Sequence, residues 1–148
     1  MKYVRLITLL FCILFLLISM AGCQKSEQTY TFAQSIDDVK SIEICRYDYE
    51  AKCVTSLKSL TNEEMNALWR DIPALTCKQH FGDHTMDYGE IVIYITYKNG
   101  ESEVIGIWNV ALVDSDGEWH IGGVYFDKTE FSEMLLKYID AESVPELK

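Results

Sequence analysis

From Leu6 to Ala21 the chain reads LITLLFCILFLLISMA without a single charge, and behind that run the apolar positions fall into short, patterned groups. Residues 39–47, VKSIEICRY, put Ile42 and Ile44 on one face and Glu43 and Cys45 on the other, the period of a half-buried strand. Residues 51–57 read as its return. Met65, Leu68, Trp69 and Ile72 then recur at i, i+3, i+4 and i+7, so a helix follows, closed by Pro73. Its start is legible: Thr61-Asn62-Glu63-Glu64 has the form of a capping box, and Leu60 and Met65 stand where a hydrophobic staple would. Residues 91–97, IVIYITY, form the strongest strand signal, and Asn99-Gly100 behind them predicts a two-residue hairpin turn. That turn would pair Tyr97 with Ser102, Ile95 with Val104 and Ile91 with Trp108, in a strand reaching about Val113. Asp114-Ser115-Asp116-Gly117 predicts a second turn, and residues 119–126 a returning strand with a bulge or bend at Gly122-Gly123. Asp127-Lys128-Thr129-Glu130 repeats the cap logic with Phe126 and Phe131 as staple. Phe131, Met134, Leu135 and Tyr138 make the last apolar stripe.

The order is ββ-α-βββ-α. Consecutive hairpins imply an antiparallel sheet, and each helix has one stripe to bury against it. The expected fold is therefore α+β: a two-layer domain with a sheet of five or more strands and two helices packed on one face. In the predicted register Val92, Tyr94, Ile105 and Ile107 share one face, and Ile91, Ile93, Ile95, Val104 and Trp108 the other. Both faces are apolar, so the face without helices is expected either to be covered, with Tyr30-Thr31-Phe32 available for that, or to meet a partner.

The charge-free run is shorter than the 20 or so residues of a spanning helix and follows Lys2 and Arg5, which suits a signal-peptide core. It ends in Met20-Ala21-Gly22-Cys23, which resembles the lipobox of bacterial lipoproteins: an aliphatic residue, two small residues, then Cys. The resemblance implies diacylglyceryl transfer to the Cys23 thiol and cleavage before it. The chain would then divide into a signal peptide (1–22), a short lipidated tether (23–29) and one extracytoplasmic domain (30–148). A lipid bilayer is the implied partner, at the outer face of the cell membrane. With the strand and helix order added, the chain resembles small lipoproteins of Gram-positive, clostridium-like bacteria whose domains have no assigned function.

Removing residues 1–22 leaves 11 basic against 23 acidic residues, about −12 in formal charge. That sign argues against nucleic acid, whose phosphates need Lys and Arg, and against flat docking on anionic lipid. It permits a basic partner, and a protein partner is a possibility the sequence leaves without a name.

Three cysteines lie beyond Cys23. If Asp48-Tyr49-Glu50 is a three-residue loop, Cys45 falls opposite Cys53 and Ile44 opposite Val54, so a Cys45–Cys53 disulfide is expected on an exported hairpin. Cys77 opens CKQHFGDH, where Cys77, His80 and His84, with Asp83 and Asp87 nearby, offer zinc-type ligands at Cys-x2-His-x3-His spacing. A solvated connector is the plainer reading of that stretch. Asp114-Ser115-Asp116-Gly117 lacks the Glu that completes a calcium loop, and His120 is read as a satisfied sheet residue. No nucleophile elbow, phosphate loop or His-Glu-x-x-His motif occurs. The sequence thus predicts no cofactor and no enzyme, but a membrane-anchored binding or accessory module. Its alternatives are a metal-binding protein or metal-dependent enzyme built on Cys77, His80 and His84, and an immunity or inhibitor lipoprotein.

Overall fold

The computed structural model describes residues 27–51, 53–79, 88–142 and 144. Cys23, His80, Asp83, His84 and Asp87 lie outside the described residues, as does the lipobox. Nine strands and two α-helices are present among the described residues: β1 (Glu27–Gln28), β2 (Val39–Asp48), β3 (Cys53–Ser59), α1 (Asn62–Asp71), β4 (Cys77–Gln79), β5 (Ile91–Tyr97), β6 (Ser102–Gly106), β7 (Val110–Val113), β8 (Trp119–Ile121), β9 (Val124–Phe126) and α2 (Lys128–Leu135). Six strands form one sheet in the order β3-β2-β5-β6-β7-β8, and three form a smaller one, β1-β4-β9; every pairing is antiparallel. The fold is α+β, as the strand and helix order predicts.

Both helices begin as their sequences require. Thr61 accepts from the Glu64 amide and Glu64 reaches back to the Thr61 amide, which closes the capping box and satisfies two orphan donors. A 3-10 turn (Ile72–Ala74) containing Pro73 ends α1. Asp127 caps α2 by accepting from the Thr129 and Glu130 amides. Glu130 does not close a second box. It takes the amide (2.7 Å) and hydroxyl (3.2 Å) of Thr76 instead, which fastens α2 to the chain entering β4.

The stripes of both helices pack on one face of the six-stranded sheet. Leu68, Ile72, Phe131, Met134 and Leu135 meet Ile42, Ile44, Ile93, Ile95 and Ile105 there, all at 2% exposure or less. The small sheet adds Cys77 and Phe126 to this core, and the Phe126 and Phe131 rings lie 5.4 Å apart. Tyr30 and Phe32 enter from the N-terminal side, Phe32 stacked on Trp69 at 3.6 Å.

The hairpin between β5 and β6 corrects the predicted register. Its loop has three residues, Lys98-Asn99-Gly100: the Gly100 amide bonds the Tyr97 carbonyl, the Tyr97 amide bonds the Glu101 carbonyl, and Gly100 takes φ 93°. The left-handed glycine closes a three-residue loop, one residue more than the two that Asn-Gly suggests. Ile95 therefore faces Glu103, and Tyr94 faces Val104. A slip of one residue turns every side chain of β6 over, so Glu103 enters the helix-side core and Val104 leaves it. Nor does the strand run on to Val113. It turns back at residues 107–109, with the Gly106 amide on the Asn109 carbonyl, so β6 and β7 form a hairpin of their own.

The second sheet face is covered, but not by residues 30–32. Val92, Val104 and Ala111 are fully buried there with Cys45, Tyr47 and Val113, beneath the rings of Tyr88 and Trp119. Tyr88 crosses so close to β6 that a Cβ on Gly106 would lie 2.0 Å from the Tyr88 carbonyl oxygen. Only glycine permits that approach. At the bend between β8 and β9, Gly123 takes φ 61° and the chain passes from the large sheet to the small one.

Pairing of the N-terminal segment starts at Glu27, within the stretch expected to be tether, because a two-residue edge strand needs only backbone bonds and leaves no hydropathy signal. No helix among the described residues is long and apolar enough to cross a membrane.

Candidate functional site

The disulfide expected between Cys45 and Cys53 is not formed. The β2–β3 loop is the four residues 49–52 rather than Asp48-Tyr49-Glu50, so Cys53 faces Asp48 and Cys45 faces Ser56. Both thiols are free, Cys45 buried at 2% exposure and Cys53 exposed. Burial, with the Glu43 carboxylate adding to it, pushes the Cys45 thiol up to about 12.

Cys77 begins β4, so the stretch expected to be a connector opens as a strand. Its side chain is fully buried and its thiol donates to the Gln28 carbonyl at 2.7 Å. Burial raises this thiol as well, which disfavours the thiolate a metal would need. His80 and His84, the other two residues of that candidate set, are outside the described residues.

Three ligand-type side chains do meet elsewhere. Asp114, Glu118 and His120 bring one ligand atom each within 4.8 Å of the others at the β7–β8 turn. Asp114 accepts from His120 at 3.0 Å and from the amides of Glu118 and Asp116, and these bonds, the His120 bond foremost, hold its carboxyl below the usual range. The turn accounts for all of these contacts, as the sequence suggested for Asp114. His120 sits in β8 opposite Leu112, with its ring mostly exposed and satisfied by Asp114, the sheet residue that the sequence predicts.

A cleft of about 470 Å³, within the range of small-molecule sites, opens among the described residues. Four parts of the chain build it: the end of β2 and its turn (Tyr47, Tyr49), the entry to β5 (Gly89, Glu90, Ile91), the β6–β7 turn (Ile107, Trp108) and the first turns of α2 (Lys128, Phe131, Ser132). Among the described residues, Tyr49 and Trp108 are the two large apolar side chains left exposed, at 59% and 48%.

Neither ring is exposed for want of order around it. Around Trp108, the Ile107 carbonyl accepts the Phe126 amide, and buried Asn109 accepts the amides of Val110 and Gly123. The turn is held from both sides while the indole faces outward. Next to Tyr49, the Asp48 carboxylate accepts the Ala51 amide at 2.9 Å. Glu90 is placed by its own carbonyl, which accepts the Tyr47 amide at 2.8 Å. Gly89, at φ 81°, lets Ile107 and Trp108 close against the cleft wall: a Cβ there would lie 2.7 Å from an Ile107 methyl. Glu90 and Lys128 both line this cleft and are both exposed, and neither side chain has an ion pair or hydrogen bond with any described residue.

Sequence reasoning missed this site. Trp108 was expected in a strand facing Ile91, and Tyr49 in a plain loop. The available signal was Trp108-Asn109 at the end of an apolar run, since Asn favours turns and a turn there throws the indole outward. Comparison with known protein families, curated proteins and solved structures gives no match to this chain.

Proposed function

We propose that this chain is a membrane-anchored binding module, acylated at Cys23 and working at the extracytoplasmic face, whose ligand occupies the cleft between Tyr49, Trp108 and α2. One observation carries the ligand site: two aromatic rings stand exposed at the rim of a built cleft, while every other large apolar side chain among the described residues is at least partly covered. Aromatic rings supply large contact area at low entropic cost, and isolated exposure of both at one cleft is what a recognition surface needs. The bare sheet face that the sequence offered as a docking surface is packed, so it gives no support to a partner there. The anchor rests on the sequence resemblance at Met20-Ala21-Gly22-Cys23. Binding rather than catalysis is favoured by the lining, which is aromatic with single opposite charges.

The test is native mass spectrometry of the full chain, extracted from its own membrane in mild detergent without reductant. A polypeptide mass beginning at Cys23 plus diacylglyceryl is expected; a mass that keeps residues 1–22 overturns the anchor. A bound small molecule is expected on the wild type and absent from the Tyr49→Ala, Trp108→Ala double variant. A molecule retained by that variant places the ligand elsewhere and overturns the cleft.

A further inference from the structure

The geometry points to a zwitterionic short peptide as the ligand of this cleft, its free amino end on Glu90, its free carboxylate on Lys128 and an apolar side chain between Tyr49 and Trp108. This rests on the cleft being the ligand site, and it adds the class of ligand. The argument is one of charge. The chain as a whole is strongly acidic, −10 over its full length, yet the cleft carries one acid and one base and is balanced.

Those two charges stand on different elements, Glu90 at the entry to β5 and Lys128 at the start of α2, and neither is neutralised by the other or by any other described residue. A neutral sugar would leave both without a countercharge. A singly charged ligand would satisfy one and leave the other facing it unmatched or repelled. Only a molecule with both signs answers the pair, and charge-assisted hydrogen bonds to both ends fix its direction as well as its identity. The volume of about 470 Å³ exceeds what a lone amino acid fills, and the aromatic rim asks for an apolar group between the two charged ends.

Calorimetric titration of the full chain in mild detergent with the tripeptide Ala-Phe-Ala tests this, using four forms: free ends, N-acetylated, C-amidated and doubly blocked. The free form is expected to bind, and each block to weaken binding by about tenfold or more, the scale of one charged hydrogen bond. Glu90→Gln is expected to abolish the difference between free and acetylated peptide while keeping that between acid and amide. Lys128→Met is expected to do the reverse. Both positions are exposed, so these variants keep the fold, which circular dichroism verifies. Doubly blocked peptide binding as well as the free form, with Trp108→Ala abolishing both, overturns the zwitterion and leaves the cleft standing. Failure of every peptide form alongside Trp108-dependent binding of a neutral oligosaccharide has the same meaning. Peptide binding indifferent to Trp108→Ala overturns the cleft itself.

Discussion

Glu103 sits at 3% exposure opposite Ile95, and its neighbours explain how a carboxylate survives there. The hydroxyls of Tyr30 and Tyr97 both donate to it, and the Ala33 amide donates at 3.2 Å. Burial, reinforced by this carboxylate, drives both phenols far above the usual tyrosine range, so they remain donors at any physiological pH. Glu103→Ala leaves two buried hydroxyls without their acceptor. It should cost about 2–5 kcal/mol in urea unfolding, with Glu103→Gln costing less because one acceptor oxygen remains. A loss under about 0.5 kcal/mol for the alanine variant would show that the cluster does not hold the fold together. The cysteines make a second residue-scale prediction. Native alkylation of the full chain, without reductant, should modify Cys53 quickly and leave Cys45 and Cys77 protected until denaturant is added. Recovery of a Cys45–Cys53 linked peptide would contradict the register described here.

At the scale of elements, helices were legible and hairpin registers were not. A helix cap is written in four consecutive residues, and the Thr61–Glu64 box and the Asp127 cap are where the sequence places them. A register depends on whether a loop has two, three or four residues, and Asn99-Gly100 is compatible with more than one length. That single residue decided the fate of Glu103, which an Asn-Gly turn of two residues would have sent to the opposite face. The four-residue loop after Asp48 likewise removed the expected disulfide. The α1 cap carries its own pH signature. The Lys58 ammonium at 2.7 Å, helped by the Thr61 amide, lowers Glu64 from 4.5 to about 2. A carboxyl lowered in the folded state stabilises above its unfolded value and loses that contribution as pH falls. Between pH 4.5 and about 2 the wild type should therefore lose more in melting temperature than Glu64→Gln, whose cap does not titrate. Parallel acid limbs for the two proteins would show that this pair adds nothing.

For the whole molecule, the class, the placement of both helices on one face and most strand positions could be read from periodicity. The second core layer and the cleft could not, because both are assembled from turns distant in sequence. Tyr88 covers the far sheet face only because Gly106 lies beneath it, and the same stretch continues through Gly89 and Glu90 into the cleft wall. Gly106→Ala should consequently lower stability by about 1–3 kcal/mol and also weaken whatever binds the cleft, a paired loss that calorimetry on one variant would read. Loss of stability with binding unchanged would separate the two regions. The clamp on Tyr30 has a mechanical meaning too. β1 offers only two residues of pairing at the rim of the small sheet, so a pull on the N-terminus would strip it with little resistance. The load then falls on Tyr30, and through Glu103 and Tyr97 it passes into β5 and β6, in the interior of the six-stranded sheet. If the domain is moored by its N-terminus, as proposed, it would in this way be hauled by its keel and not by its gunwale, and the strands bearing the strain would be those in the interior of the sheet.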